Sequence, residues 1–208
     1  MPRRRAAPPR VFLLSPAHVG GIRARLLLNP HAPFALAREF RTRGLALADV
    51  FTFTSGLYFR GKIAYARHFA GPRELVRVIT SNAGLLDPDT RVGPAEVRAY
   101  GATDIDAADP RYRVPLVRDA RAIATLLGPD GTAVLLGSIA TPKYRDALLE
   151  VFGPRLLFPV DFVGRGDMSR GALLLRAARA DRELPYAAVA DAILTGRRAP
   201  GVDRMNRG

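Results

Sequence analysis

Thr132-Ala-Val-Leu-Leu-Gly137, an unbroken apolar run, is followed by a helical pattern from Pro142 to Phe152 and then by a second short run, Arg155-Leu-Leu-Phe158. Runs this short, without alternation and bounded by Gly or Pro, read as strands buried on both faces, and the strand–helix–strand order makes the two parallel. Val11-Phe-Leu-Leu-Ser15 and Leu75-Val-Arg-Val-Ile79 have the same character. Further helical patterns cover Phe34 to Arg43, Leu57 to Phe69, Val114 to Leu127 and Ser169 to Ala180. The expected fold is α/β, a three-layer α/β/α sandwich with a four-stranded, mainly parallel sheet. The stretch from Asp87 to Pro115 reads as loop, with a short helix at Pro94 to Tyr100.

Composition supports one domain of ordinary globular type. The 208 residues are 48% hydrophobic and 25% charged, enough apolar material to bury a core. With no cysteine, disulfides, thiolate metal sites and a cysteine nucleophile are excluded, and a reducing cytoplasm is the expected location. The segment Met1 to Arg10 lacks the apolar stretch of about 7–15 residues that a secretory signal needs, and no run reaches the roughly 20 residues that span a bilayer. No membrane partner is expected.

The formal net charge of +13, from 32 basic and 19 acidic residues, points to a polyanion, DNA first. Its distribution tempers that reading. Arg3, Arg4, Arg5 and Arg10 supply +4 and the segment from Arg197 to Arg207 supplies +3, leaving +6 for residues 11–196. The expected organisation is a basic arm over 1–10, one α/β domain over 11–196 and a basic tail over 197–208.

In parallel sheets ligands gather outside the carboxyl ends of the strands, so the loops that follow the apolar runs carry the candidates. Phe162-Val-Gly-Arg-Gly-Asp-Met-Ser-Arg-Gly171 combines glycines, two arginines and a helix start, a mixture suited to phosphate or sugar. Asp167 or Ser169 also reads as a simple helix cap. Asp161 follows a strand directly, where a carboxylate can stabilise an oxocarbenium-like centre, orient a water, or merely pair with an arginine. Ser55-Gly-Leu-Tyr-Phe-Arg-Gly-Lys62 joins rings to cations, so Tyr58 is a candidate for stacking on a base and Arg60 and Lys62 for holding phosphate; a snorkelling helix start is the plainer reading.

His18, three residues beyond the first strand, can assist a developing negative charge, although a lone histidine is more often structural. His31 and His68 lie far from it in sequence, so no metal triad is readable and no metal or other cofactor is expected. Ser81, Asn82, Ser138 and Lys143 read as polar edges of the same crevice, or as turn residues. None of Ser15, Ser55, Ser81 and Ser138 lies in a Gly-x-Ser-x-Gly pattern, which argues against a serine hydrolase. The Gly20-Gly21-Ile-Arg23 turn has neither Rossmann glycine spacing nor a P-loop lysine.

The segment Ala133-Val-Leu-Leu-Gly-Ser-Ile-Ala-Thr-Pro-Lys143, with the following helix, strand and Pro159-Val-Asp-Phe-Val-Gly-Arg-Gly-Asp-Met-Ser-Arg170, resembles the second half of the uracil-DNA glycosylase superfamily. The resemblance implies four parallel strands in an α/β/α sandwich, a Ser-containing loop that enters the DNA minor groove, and cleavage of an N-glycosidic bond with the nucleotide flipped out of the helix. The carboxylate or amide expected after the first strand is missing from Ser15-Pro-Ala-His-Val-Gly-Gly21, and Phe158-Pro-Val-Asp161 replaces the usual His-Pro. The catalytic carboxylate then falls to Asp161 or Asp167. A second resemblance, to a group of uncharacterised bacterial domains, rests on Gly84-Leu-Leu-Asp-Pro-Asp-Thr90 and Leu57 to Lys62 and implies no activity.

The expected function is that of a glycosylase-like enzyme acting on a modified or damaged base in DNA. Asp161, Asp167 and His18 would be catalytic; Ser55, Tyr58, Arg60, Lys62, Ser81, Asn82, Ser138, Lys143, Arg165, Ser169 and Arg170 would contact nucleic acid. The alternatives are a non-catalytic DNA- or RNA-binding protein and an enzyme on a free nucleoside or nucleotide.

Overall fold

A computed structural model describes residues 8–71 and 75–194. The four expected strands form the centre of the sheet: β1 (Arg10–Leu14), β3 (Leu75–Ile79), β6 (Thr132–Leu136) and β7 (Leu156–Pro159). With the short edge strands β4 (Leu85–Leu86) and β8 (Tyr186–Ala188), the order is β4-β3-β1-β6-β7-β8. The central four run parallel, and both edges are antiparallel. The sheet therefore has six strands and is mixed, not four and mainly parallel. Edge strands of two or three residues carry no periodicity that a sequence can display. A separate antiparallel pair joins β2 (Leu45–Ala46) to β5 (Arg91–Val92).

Both faces of the central strands are covered. Phe12, Leu14, Val134 and Leu136 bury with α2 (Ala35–Arg43), α3 (Leu47–Ser55), α4 (Leu57–Phe69) and α8 (Asp167–Arg179). Val11, Leu13, Ala133 and Leu135 bury on the other side with α6 (Pro110–Leu127) and α7 (Pro142–Phe152). Alternate residues of one strand feed opposite layers, and that is why these runs are apolar without a break. The remaining helices are α1 (Ile22–Leu28), α5 (Pro94–Gly101) and α9 (Val189–Leu194).

Two helices depart from the sequence reading. Helix α3, which no pattern marked, leads directly into α4 and is broken from it only at Gly56, whose φ of +65° favours glycine. Leu47-Ala-Asp-Val-Phe-Thr-Phe-Thr-Ser55 is rich in β-branched and aromatic residues of modest helix propensity, and burial of Leu47, Ala48, Val50 and Phe51 outweighs it. Helix α6 starts at Pro110, its first turn capped by Asp109, which accepts a hydrogen bond from the Arg111 backbone N–H at 2.8 Å; Pro115 lies inside the helix.

Arg10 belongs to β1 and not to a free arm: its guanidinium pairs with Glu183 and donates to the Phe69 carbonyl at 3.1 Å. Residues 1–7 and the 197–208 tail lie outside the described residues. Gly84 has φ +72°, and a Cβ there would stand 2.8 Å from the Pro115 carbonyl oxygen; Asp119 beside it accepts the Leu85 N–H at 2.9 Å. The Gly84-Leu-Leu segment thus has a structural task, reversing the chain into the edge strand β4.

Among the described residues no helix is long and apolar enough to cross a membrane.

Candidate active site

Strand β1 lies between β3 and β6, so the chain leaves β1 toward one neighbour and leaves β6 toward β7 on the other side. This is a topological switch point, where loops diverge to opposite faces and open a crevice beyond the strand ends. Ser15 stands at the end of β1 and donates its backbone N–H to the Leu136 carbonyl at 3.2 Å; Gly137 follows β6 beside it. A Cβ on Gly137 would meet Ser15 Cβ at 2.8 Å and Tyr144 Oη at 3.0 Å, so glycine is what lets these two hydroxyl-bearing side chains converge.

Lys62 reaches this point from α4. It is 1% exposed, and its Nζ donates to the Ser15 carbonyl oxygen at 2.6 Å and to Ser15 Oγ at 2.8 Å. The Tyr58 and Phe59 rings lie 4.4 Å and 4.9 Å from the nitrogen. Burial disfavours the ammonium and pushes Lys62 down to about 7, the Asp167 carboxylate pulling the other way.

The cover over Lys62 follows from a close helix crossing. Gly61 and Gly171 face each other: a Cβ on Gly61 would lie 2.6 Å from the Gly171 carbonyl oxygen, and one on Gly171 2.7 Å from that of Leu57. The contact brings the first turn of α8, with Asp167 and Arg170, over Tyr58. Arg170 donates to the Phe162 carbonyl at 3.1 Å and lies 3.5 Å from Asp167. Phe162 packs edge-on against Tyr58, ring centres 6.4 Å apart.

Tyr58 is 7% exposed and its hydroxyl is buried without a hydrogen-bond partner. Burial pushes the phenol up, and the nearby Arg170 guanidinium pulls it the other way. A buried unpaired hydroxyl costs about 1–3 kcal/mol, and such groups in folded proteins call for a reason such as a ligand. Tyr144, also raised by burial, accepts the Ser138 N–H at 3.0 Å and feels both Arg170 and Asp167.

Beside this centre lies a cavity of about 290 Å³ lined by His18, Phe51, Ser81, Tyr100, Asp104 and Lys143 among others. Its size suits one nucleobase or one sugar ring. The sequence reading named His18, Ser81 and Lys143 but not Tyr100 or Asp104, which arrive from the end of α5 and the loop after it.

The other candidates divide. Burial takes Tyr58 and Lys62 out of reach of a nucleic-acid strand: no open ring face remains for stacking, and no free ammonium for phosphate. Desolvation of Lys62 is also the reverse of snorkelling. Ser81 is 4% exposed, and its hydroxyl donates to the Tyr100 carbonyl at 2.8 Å, so it holds the cavity wall as much as it lines it. Asn82 is half-buried in the turn after β3, and Ser55 is half-buried at the end of α3. Arg60 is exposed on the first turn of α4.

Asp161 sits in a 3₁₀ turn, Val160–Phe162, directly after β7; its carbonyl oxygen accepts from Arg165 Nε at 2.8 Å, and Arg165 also reaches Ser169 Oγ at 3.3 Å. Arg165 and Asp167 are exposed, while Asp161, Ser169 and Arg170 are half-buried. Ser15 and Tyr144 are the residues sequence reasoning did not bring to the site.

His68 pairs with Asp181, away from His18, and among the described residues no three His, Asp or Glu are close enough to hold a metal ion. No family profile, curated protein or solved structure matches this chain.

Proposed function

We propose that this chain is a glycosylase-like enzyme that receives one nucleotide of DNA in the switch-point crevice and hydrolyses its N-glycosidic bond. The observation that carries the reading is the nucleobase-sized cavity beyond the strand ends, lined by His18, Ser81, Tyr100 and Lys143; that the α8 first turn borders a nucleotide bound there is part of the proposal. The four parallel strands within a helix–sheet–helix sandwich are in keeping with the glycosylase-like resemblance. The flipped base enters the cavity against Tyr100 and Phe51. Asp167 stabilises the oxocarbenium-like sugar, with Asp161 as the second carboxylate on the same loop, and His18 assists the departing base. Arg60, Lys143, Arg165 and Arg170 take the phosphates. A cytoplasmic setting fits a chain without cysteine.

Incubation with oligonucleotides carrying a panel of modified bases, followed by scoring of abasic sites, tests the proposal. Base release from at least one of them is expected. Binding of every oligonucleotide with no base released would replace this reading with that of a non-catalytic nucleic-acid-binding protein.

A further inference from the structure

We propose that Ser15 is a nucleophile toward acyl groups, with the Lys62 amine as its general base, a chemistry that lies beyond N-glycosidic cleavage and does not depend on it. The geometry is that of a serine–lysine pair. Lys62 Nζ is held by two contacts, the Ser15 carbonyl at 2.6 Å and Ser15 Oγ at 2.8 Å. In the neutral amine one N–H still donates to the carbonyl. The nitrogen lone pair is then free to accept from the Ser15 hydroxyl across the same 2.8 Å, which is the arrangement a serine needs to lose its proton on attack.

The surroundings keep the amine available. The Tyr58 and Phe59 rings exclude water around Nζ, and burial lowers the lysine to about 7. The facing groups on other elements are Asp167 on α8, which acts on Lys62, and Tyr144 on α7, which stands beside Ser15. Of these, Asp167 acts against deprotonation, and it is an exposed side chain that solvent screens.

This setting selects the electrophile. A phosphate dianion beside Lys62 would draw the proton back onto the amine and remove the base, whereas an uncharged ester leaves it neutral. Ser15 Oγ attacks the ester carbonyl carbon and its proton passes to Lys62; the tetrahedral oxyanion collapses, the C–O bond to the alcohol breaks, and the alkoxide takes that proton. Water then attacks the acyl-serine, Lys62 again receives the proton, and the acid leaves as Ser15 Oγ is reprotonated. Tyr144 Oη, beside Ser15 at the Gly137 gap, is a hydroxyl close enough to serve as donor to the oxyanion. Ser15 itself is 5% exposed, and the residues that follow it, Pro16 and Ala17, line the cavity, which is the route by which a small ester would reach Oγ; the base comes from a helix 47 residues away in the sequence.

The test uses a fluorophosphonate probe on the full chain, with the adduct located by peptide mass spectrometry. Attack forms an Oγ–P bond, breaks P–F and sends the proton to Lys62. One adduct on Ser15 is expected. Its rate should rise about tenfold per pH unit below pH 7 and level off above, as the neutral amine becomes the major form. Lys62→Met should slow labelling by at least about a hundredfold, and Ser15→Ala should abolish it. The wild-type pH profile stands even where a variant fails to fold. Absence of a Ser15 adduct at pH 8, a rate flat from pH 5 to 9, or Lys62→Met labelling at the wild-type rate would overturn the proposal. Because the probe carries no nucleotide, each of these outcomes is separate from success or failure of base release.

Discussion

Replacing Gly171 with alanine is expected to remove about 3 kcal/mol of stability, the upper end of the usual cost of overpacking a core. The new methyl would stand 2.7 Å from the Leu57 carbonyl oxygen and 2.8 Å from Tyr58 Cα. Both are backbone atoms of a helix, so no side-chain rotation relieves the clash and α8 must lift from α4. For a chain of this length the loss corresponds to a fall of roughly 6–12 °C in melting temperature, readable by calorimetry or urea unfolding. Gly61→Ala meets the same obstacle from the other side, its Cβ falling 2.6 Å from the Gly171 oxygen. Gly166→Ala is the control: nothing lies within 4 Å of its Cβ, and it should change stability by less than about 1 kcal/mol. A Gly171→Ala protein as stable as wild type would mean that the two helices do not cross as described. Lifting α8 also withdraws Asp167 and Arg170 from above Tyr58 and unseals Lys62.

Asp167→Asn is expected to lower kcat for base release on the order of a hundredfold or more, with little change in KM. The carboxylate is the charge whose field reaches Lys62, Tyr58 and Tyr144 together, which is why the proposed mechanism assigns it to the positive charge that would develop on the sugar. Its removal leaves shape and hydrogen-bonding surface nearly intact. Stability should hardly move, because Asp167 is 68% exposed and its Arg170 partner is 3.5 Å away, a surface pair worth at most about 1 kcal/mol. Steady-state kinetics on the best substrate of the base panel, with unfolding curves for both proteins, checks this. An unchanged kcat would move the role to Asp161 or to the cavity's Asp104.

The sequence made the sheet centre legible because each of its strands is apolar on two faces. Phe12 and Leu14 point into one layer and Val11 and Leu13 into the other, so no alternation could blur the run. Helices α4 and α7 were legible to the residue, since their patterns end at Ala70 and Gly153, where a helix stops naturally. Strand β8 was not, because Tyr186-Ala-Ala188 pairs only at an edge and carries no buried residue to mark it. At the candidate site, the rule that ligands gather at strand ends pointed to the loops, but the buried Ser15–Lys62 pair was not legible. Lys62 reads as an ordinary surface cation until Gly61 and Gly171 are seen to close over it. Ser15 reads as a turn residue until a lysine from another helix arrives. Both facts depend on contacts between residues far apart in the chain, which local pattern cannot reveal.

Chemical-shift mapping of the isotope-labelled protein with a short single-stranded oligonucleotide containing one abasic sugar tests whether the strand-end loops form a single nucleotide-receiving crevice. Shifts are predicted in the segments 15–20, 81–83, 100–105, 137–143 and 161–170, which the fold gathers at the carboxyl ends of β1, β3, β6 and β7. Shifts clustered instead around Arg67, Arg77 and Asp89, in the separate groove beside β3, would contradict it.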